Sequence, residues 1–264
     1  MTVVDVHTHI YPEKIASKAV EAVSDFYVLG MEGNGSVNHY LQSIEGSPIT
    51  HAVVHSVAVK QSNVEHINNF IAEACEANPN LIGFAAMHQD YENPEAELAR
   101  VRAMGLKGIK LHPDFQKVNL DDERLMKIYE IAEREHIPLI IHTGDYRYDY
   151  SHPRRMKEVL HAFPNLIVDS AHFGGWSIPD IALEYLEDEH CFMDCSSSSI
   201  ILGKRRMREL IEIYGADRIL FGSDFPMWSP TKEYEFVRSL GLSKLEYEKI
   251  FLRNAERFLN MDLR

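Results

Sequence analysis

Eight short β-rich runs alternate with helical segments from one end of this 264-residue chain to the other, and that alternation limits the fold more than any other feature. The runs are Val3–Ile10, Ala52–Val57, Leu81–Met87, Gly108–His112, Leu139–Thr143, Leu166–His172, Cys191–Ser197 and Arg218–Asp224. Most are nearly continuous apolar stretches, the pattern of parallel strands covered on both faces. Between them, "NVEHINNFIAEACEANPN" sets Val64, Ile67, Ile71 and Cys75 on one helical face, and "NPEAELARVRAMG" opens on Asn-Pro and closes on Gly105. "LDDERLMKIYEIAEREH", "HPRRMKEVLHAFPN" and "PDIALEYLEDEH" repeat the pattern. Eight strand–helix units predict an α/β fold, a (β/α)8 TIM barrel, as a single domain over residues 1–264. An open doubly wound sheet would need a Gly-rich phosphate turn after a strand; "GNG" at 33–35 follows no strand and lacks the third glycine.

Charge narrows the partners. Net charge is −13, and the longest basic runs are the pairs Arg154-Arg155 and Arg205-Arg206, so no nucleic-acid surface is expected. No stretch reaches the roughly 20 apolar residues of a membrane span. The three cysteines, Cys75, Cys191 and Cys195, form no CxxC pair, which fits a reducing, cytoplasmic setting. The expected partner is a small-molecule substrate, and a homo-oligomer is compatible with this composition.

Active sites of such barrels form at the C-terminal ends of the strands. Strand one ends in His7-Thr8-His9, strand four in Lys110 and His112, strand five in His142, strand six in His172 and strand eight in Asp224. Residues i and i+2 of a strand share a face, so His7 and His9 project together and suit two ligands of one ion. Neutral imidazoles plus a carboxylate hold Zn²⁺ and its neighbours when a position stays open, with His142 and Asp224 as third and fourth groups. Each residue also has a plain reading. Asp224 alone could cap a helix, Lys110 could reach out of the barrel, and most of the 14 histidines fall in helix or loop patterns. Convergence of several ionisable groups at one end favours the metal reading, since burying them uncompensated is costly. For His55 and His88, near the ends of strands two and three, a pocket role and an ordinary polar contact are both open. The serines of "CSSSSI" (195–200) read first as a solvated loop, and Arg147 as a cation that a substrate carboxylate could use or that water could simply solvate.

The ordered motifs "DVHTHI", "IIHTG", "SAHFGG" and "ILFGSDFP" are similar to those of the amidohydrolase superfamily. More narrowly, the chain resembles the amidohydrolase-related branch (amidohydrolase family 2), which holds hydrolases and aminocarboxymuconate-semialdehyde decarboxylase-like enzymes. The resemblance implies that His7, His9, His142 and Asp224 bind one divalent metal, with zinc first and manganese or iron as alternatives. It also implies that His172 is a nearby acid/base or carbonyl-polarising group. Some members hold two metals bridged by a carbamylated lysine from strand four; Lys110, with His142 and His172, makes that set formally complete. Lys110 stops two residues short of the strand end at His112, so one metal is the expectation, and Lys110, His112 and Arg147 stay as second-metal or substrate-binding candidates.

The leading expectation is hydrolysis of a small amide, ester or lactone by metal-activated water, with Asp224 as general base and acid and His172 polarising the carbonyl. The alternative is non-oxidative decarboxylation of a small unsaturated or aromatic acid at the same site, with Arg147, Lys60 or Arg205 offered to the carboxylate. A non-catalytic barrel is the third reading, which stoichiometric metal would exclude.

Overall fold

The computed structural model describes residues 2–264. All eight expected strands are present: β1 (Val3–His9), β2 (Ile49–His55), β3 (Leu81–Ala86), β4 (Gly108–Leu111), β5 (Leu139–Ile141), β6 (Val168–Ser170), β7 (Met193–Asp194) and β8 (Ile219–Leu220). The first six form one curled parallel sheet in chain order, and β7 pairs with β8 in a second. Parallel bridges join Asp169 to Phe192 and Thr8 to Phe225, so the two-stranded sheet touches both edges of the larger one. The result is TIM-barrel-like.

Helices cover the sheet. The β1–β2 connection carries α1 (Glu13–Tyr27) and α2 (Val37–Ser43); α3 (Val64–Ala77), α4 (Pro94–Ala103), α5 (Pro113–Gln116) and α6 (Glu123–Arg134) follow. Next come α7 (Pro153–Ala162), α8 (Pro179–Leu186), α9 (Ser199–Tyr214) and α10 (Pro230–Arg238). The last segment runs from α11 (Lys244–Glu248) through a π-helical turn into α12 (Asn254–Leu259). Five of these helices, α4, α5, α7, α8 and α10, begin on proline, whose missing N–H costs nothing in a first turn. No helix among the described residues is long and apolar enough to cross a membrane.

One apolar cluster joins Val4, Val6, Ile82, Phe84, Ile140 and Leu220 of the strands to Ala255 and Phe258 of α12. Strict alternation from Val4 and Val6 would carry Thr8, not His7, to the same face. The β1–β2 ladder slips between Asp5 and Thr8, and His7 and His9 then face the site together. Such an irregularity is a recognised way to re-aim a side chain beside an active site.

Asp5 fastens the first strand to the last. Its carboxylate accepts from Ser223 N (2.9 Å), Ser223 Oγ (2.6 Å) and Tyr40 Oη (3.2 Å), wholly buried. Asp5→Ala strands those donors, and a loss of about 3 kcal/mol is expected in urea unfolding. A loss under about 1 kcal/mol would remove the latch from the account.

Glu233 of α10 is buried, accepts from Ser199 Oγ at 2.7 Å and leaves its other oxygen without a partner. Burial, against the Ser199 bond and with Glu32, Asp224 and Asp5 nearby, pushes its pKa up to about 7. The folded state therefore holds this proton more tightly than the unfolded chain. The group's contribution to stability is full below its ordinary value of 4.5 and falls as the pH rises towards 7. Unfolding measured from pH 4 to 8 should lose on the order of 3 kcal/mol through this group, and Glu233→Gln should flatten that slope. An unchanged slope in Glu233→Gln would contradict the assignment.

Candidate metal centre

The site lies at the C-terminal ends of the strands. His7 directs Nδ1 at Asp194 Oδ2 (2.7 Å), which turns Nε2 towards Asp224 Oδ1 at 3.6 Å. His9 brings Nε2 to 3.5 Å from the same Asp224 oxygen. Asp224 Oδ2 accepts from Ser197 Oγ, and that hydroxyl also accepts from Trp228 Nε1 (2.8 Å). Lys110 reaches inward, with Nζ 2.8 Å from His7 Nε2. Burial, countered by Asp224, Asp194 and Asp169, lowers its pKa to about 8.

His142 lines the same cavity from β5, with Nδ1 3.1 Å from His172 Nε2 and Nε2 3.5 Å from Asp114 Oδ2. It stacks on His112 with ring centroids 4.0 Å apart, so His112, Asp114 and His142 form a second donor cluster. Burial pushes Asp114 up to about 7, against a hydrogen bond from Ser151 Oγ (2.6 Å). His172 Nδ1 faces the Ser196 carbonyl at 3.1 Å; donating to that carbonyl leaves Nε2 with its lone pair towards His142. His172 and Asp224 both sit at positive φ, 60° and 59°, where a non-glycine residue is held only by its surroundings.

The electrostatics suit metal ligands. Burial first, then neighbouring Lys110 and His112, keeps His9 and His142 well below the usual imidazole range. Burial lowers His172 to about 4. Against its own burial, Asp194 is held well below the carboxylate range by His7. Neutral imidazoles oriented by carboxylates are the form that binds cations. His142 Nε2, Asp114 Oδ1 and both ring nitrogens of His55 are buried without a hydrogen-bond partner, each costing about 1–3 kcal/mol. A mixed nitrogen and oxygen donor set with orphaned members fits a divalent cation.

The cavity above these groups is narrow, about 20 Å³, and is roofed by Val23 and Tyr27 of α1, Phe115 and Met227. Tyr27 Oη sits 2.9 Å from His112 Nε2. Arg147 holds Asp145 through Nη2 (2.6 Å) and the Phe26 carbonyl through Nη1, so its guanidinium clamps the end of α1. Arg205 is an exposed side chain paired with Glu209, away from the cavity. His88 turns back on its own loop, accepting from Asp90 N at 3.1 Å.

The structure adds residues that spacing did not single out, Asp194 behind His7 and Asp114 behind His142, and it sets His55, for which two roles were open, against His7 and His9. The serines of "CSSSSI" correct an expectation. Ser196, Ser197 and Ser198 are buried, and the first two bind His172 and Asp224 where a solvated loop was expected. The signal available was an acid and hydroxyls at the end of a strand, Asp194 to Ser197, in the position that holds the metal-type residues on the other strands.

Comparison with solved structures supports the architecture. A TIM-barrel protein of Bordetella bronchiseptica superposes with a TM-score of 0.77 at 21% identity, covering 98% of this chain and 99% of its own. The 5-carboxyvanillate decarboxylase LigW of Sphingomonas paucimobilis gives 0.76 at 15% identity, with 99% of each chain covered. A dihydroxybenzoic acid decarboxylase of Polaromonas sp. JS666, with bound manganese and the inhibitor 2-nitroresorcinol, gives 0.75 at 16% identity, covering 98% and 97%. At these identities the likeness is one of fold. The amidohydrolase family model matches residues 4–261, nearly the whole sequence. The chain belongs to the amidohydrolase family.

Proposed function

We propose that this chain is a metal-dependent, non-oxidative decarboxylase of a small aromatic or unsaturated acid, built as one closed (β/α)8 unit and acting in the cytoplasm. The observation that carries the reading is the lining of the cavity: histidines and Asp224 form its floor, and the aromatic rings of Tyr27 and Phe115 face them from above. The fold shared with two decarboxylases supports it and moves the emphasis away from hydrolysis.

His7, His9 and Asp224 would hold a single divalent ion, with His142 facing it from β5. Manganese or zinc suits these donors, and manganese is the ion named for the Polaromonas relative. When bound, such an ion supplies Lewis acidity and a fixed charge that orients a carboxylate and an adjacent hydroxyl. Asp194 keeps His7 in one tautomer, and Ser197 with Trp228 keeps Asp224 in one rotamer. Asp224 is placed to hold the proton that passes to the substrate carbon as the C–C bond breaks and CO2 leaves. His172, its ring fixed by Ser196, would take a hydrogen bond from the substrate hydroxyl at Nε2 in place of the contact it makes there with His142. The aromatic roof excludes water, which would otherwise screen these charges.

The family description keeps hydrolysis as the competing reading, with Asp224 taking a proton from water. Manganese- and zinc-loaded protein, offered hydroxybenzoates in parallel with esters, lactones and amides, separates the two. CO2 release that a chelator abolishes and added metal restores is the expected result. Cleavage of an ester, lactone or amide with no CO2 from any acid would replace this proposal with hydrolysis.

A further inference from the structure

We propose that His55 of β2 is a further ligand of the divalent ion held at the His7–His9 pair. The inference rests on the metal dependence proposed above. His55 is paired with His9 across the β1–β2 ladder, and paired residues on neighbouring parallel strands rise from the same face of the sheet. Its ring stands edge-on to His9, with centroids 4.5 Å apart, and 5.1 Å from His7. One nitrogen from each of the three imidazoles falls in a group whose members lie within 4.8 Å of one another. Nitrogens bound at about 2.1 Å stand about 3.4 Å apart around a tetrahedral ion and up to about 4.2 Å apart when opposite. The 4.8 Å bound stands above that range, and rotation of the side chains would close the difference.

Burial supplies the second argument. His55 is 0% exposed, and neither Nδ1 nor Nε2 has a hydrogen-bond partner. A wall residue at this position needs no nitrogen: leucine or phenylalanine would fill the space without stranding an N–H and a lone pair. Buried imidazoles of the cavity floor have partners, His7 on Asp194 and His172 on Ser196. The end of β2 is also tied to the end of β1, where Ser56 Oγ donates to the Ile10 carbonyl and Ile10 N to the His55 carbonyl. A ligand on that segment is therefore held before the ion arrives.

Titrating metal-stripped, ring-¹⁵N-histidine-labelled protein with Zn²⁺ tests the assignment, with resonances identified through single His variants. One His55 ring nitrogen should shift together with those of His7 and His9, at the same stoichiometry. Chelator competition on His55→Asp and His55→Phe gives a second reading. The Phe variant should bind Zn²⁺ at least about 10-fold more weakly, and the Asp variant, which keeps a donor, should recover much of the loss. Shifts at His7 and His9 with none at His55 overturn the ligand role and leave the metal site standing. Equal losses in the two variants overturn it too, since packing would explain both. No stoichiometric Zn²⁺ uptake by the wild type overturns this inference and the proposed metal dependence together.

Discussion

Asp224→Asn is expected to lower kcat/KM about 1,000-fold while leaving the unfolding midpoint nearly unchanged. Asparagine matches the shape of aspartate, accepts a hydrogen bond from Ser197 through its carbonyl oxygen, and tolerates the left-handed backbone at φ 59° better than most residues. The backbone bond from Asp224 N to the His7 carbonyl (2.8 Å) is untouched. What disappears is the charge facing His7 and His9 and the capacity to hold a proton. Metal affinity should fall as well, so the assay needs saturating manganese or zinc. Occupancy then returns and the rate does not. A kcat within about threefold of wild type under those conditions would remove Asp224 from the chemistry.

Gly144→Ala should be the most damaging single methyl group in the chain. Gly144 follows β5 at φ 83°, and a Cβ there would meet Gly175 Cα at 2.3 Å and Gly175 C at 2.9 Å. Both contacts are backbone, so no side chain can swing aside. The two loops are also stitched by Trp176 N to Thr143 O (2.8 Å) and Ser177 N to Gly144 O (2.9 Å). Moving them apart moves His142, two residues before Gly144, and His172, three before Gly175. A loss of about 3–5 kcal/mol in denaturant unfolding is expected, with kcat/KM down about 100-fold in whatever folds. Unfolding within about 1 kcal/mol of wild type would show that the loops yield easily.

The order of strands and helices was legible because burial on both faces writes continuous apolar runs, and all eight runs became strands. Their lengths were less legible. β6, expected to run to His172, ends at Ser170, and β8, expected to run to Asp224, ends at Leu220. The backbone leaves the ladder early and turns through positive φ at His172 and Asp224, which delivers those side chains into the cavity. Strand ends revealed the metal-type residues, since polar groups interrupt apolar text there. Their supports were not visible in the same way. Asp194 and Asp114 reach His7 and His142 across 187 and 28 positions, and no local pattern encodes such a pairing. His55 ends an apolar strand as the others do, yet its importance depends on register with His9, which only the paired strands reveal. Arg147 shows the opposite case: a cation in a site loop, spent on Asp145 and the end of α1.

The latch between Asp5 and Ser223 has a consequence for how the protein is made. The donors of the proposed ion come from both ends of the polypeptide, and the carboxylate among them leaves the ribosome more than 200 residues after the paired imidazoles. At about 5–20 residues per second, that interval is on the order of 10–40 seconds. During it a nascent chain displays His7 and His9 with no Asp224 to complete their grip. Full affinity for the proposed ion would then come late, once residue 224 has been made and the Asp5–Ser223 bonds have closed, and a chain truncated before residue 223 would grip it through imidazoles alone.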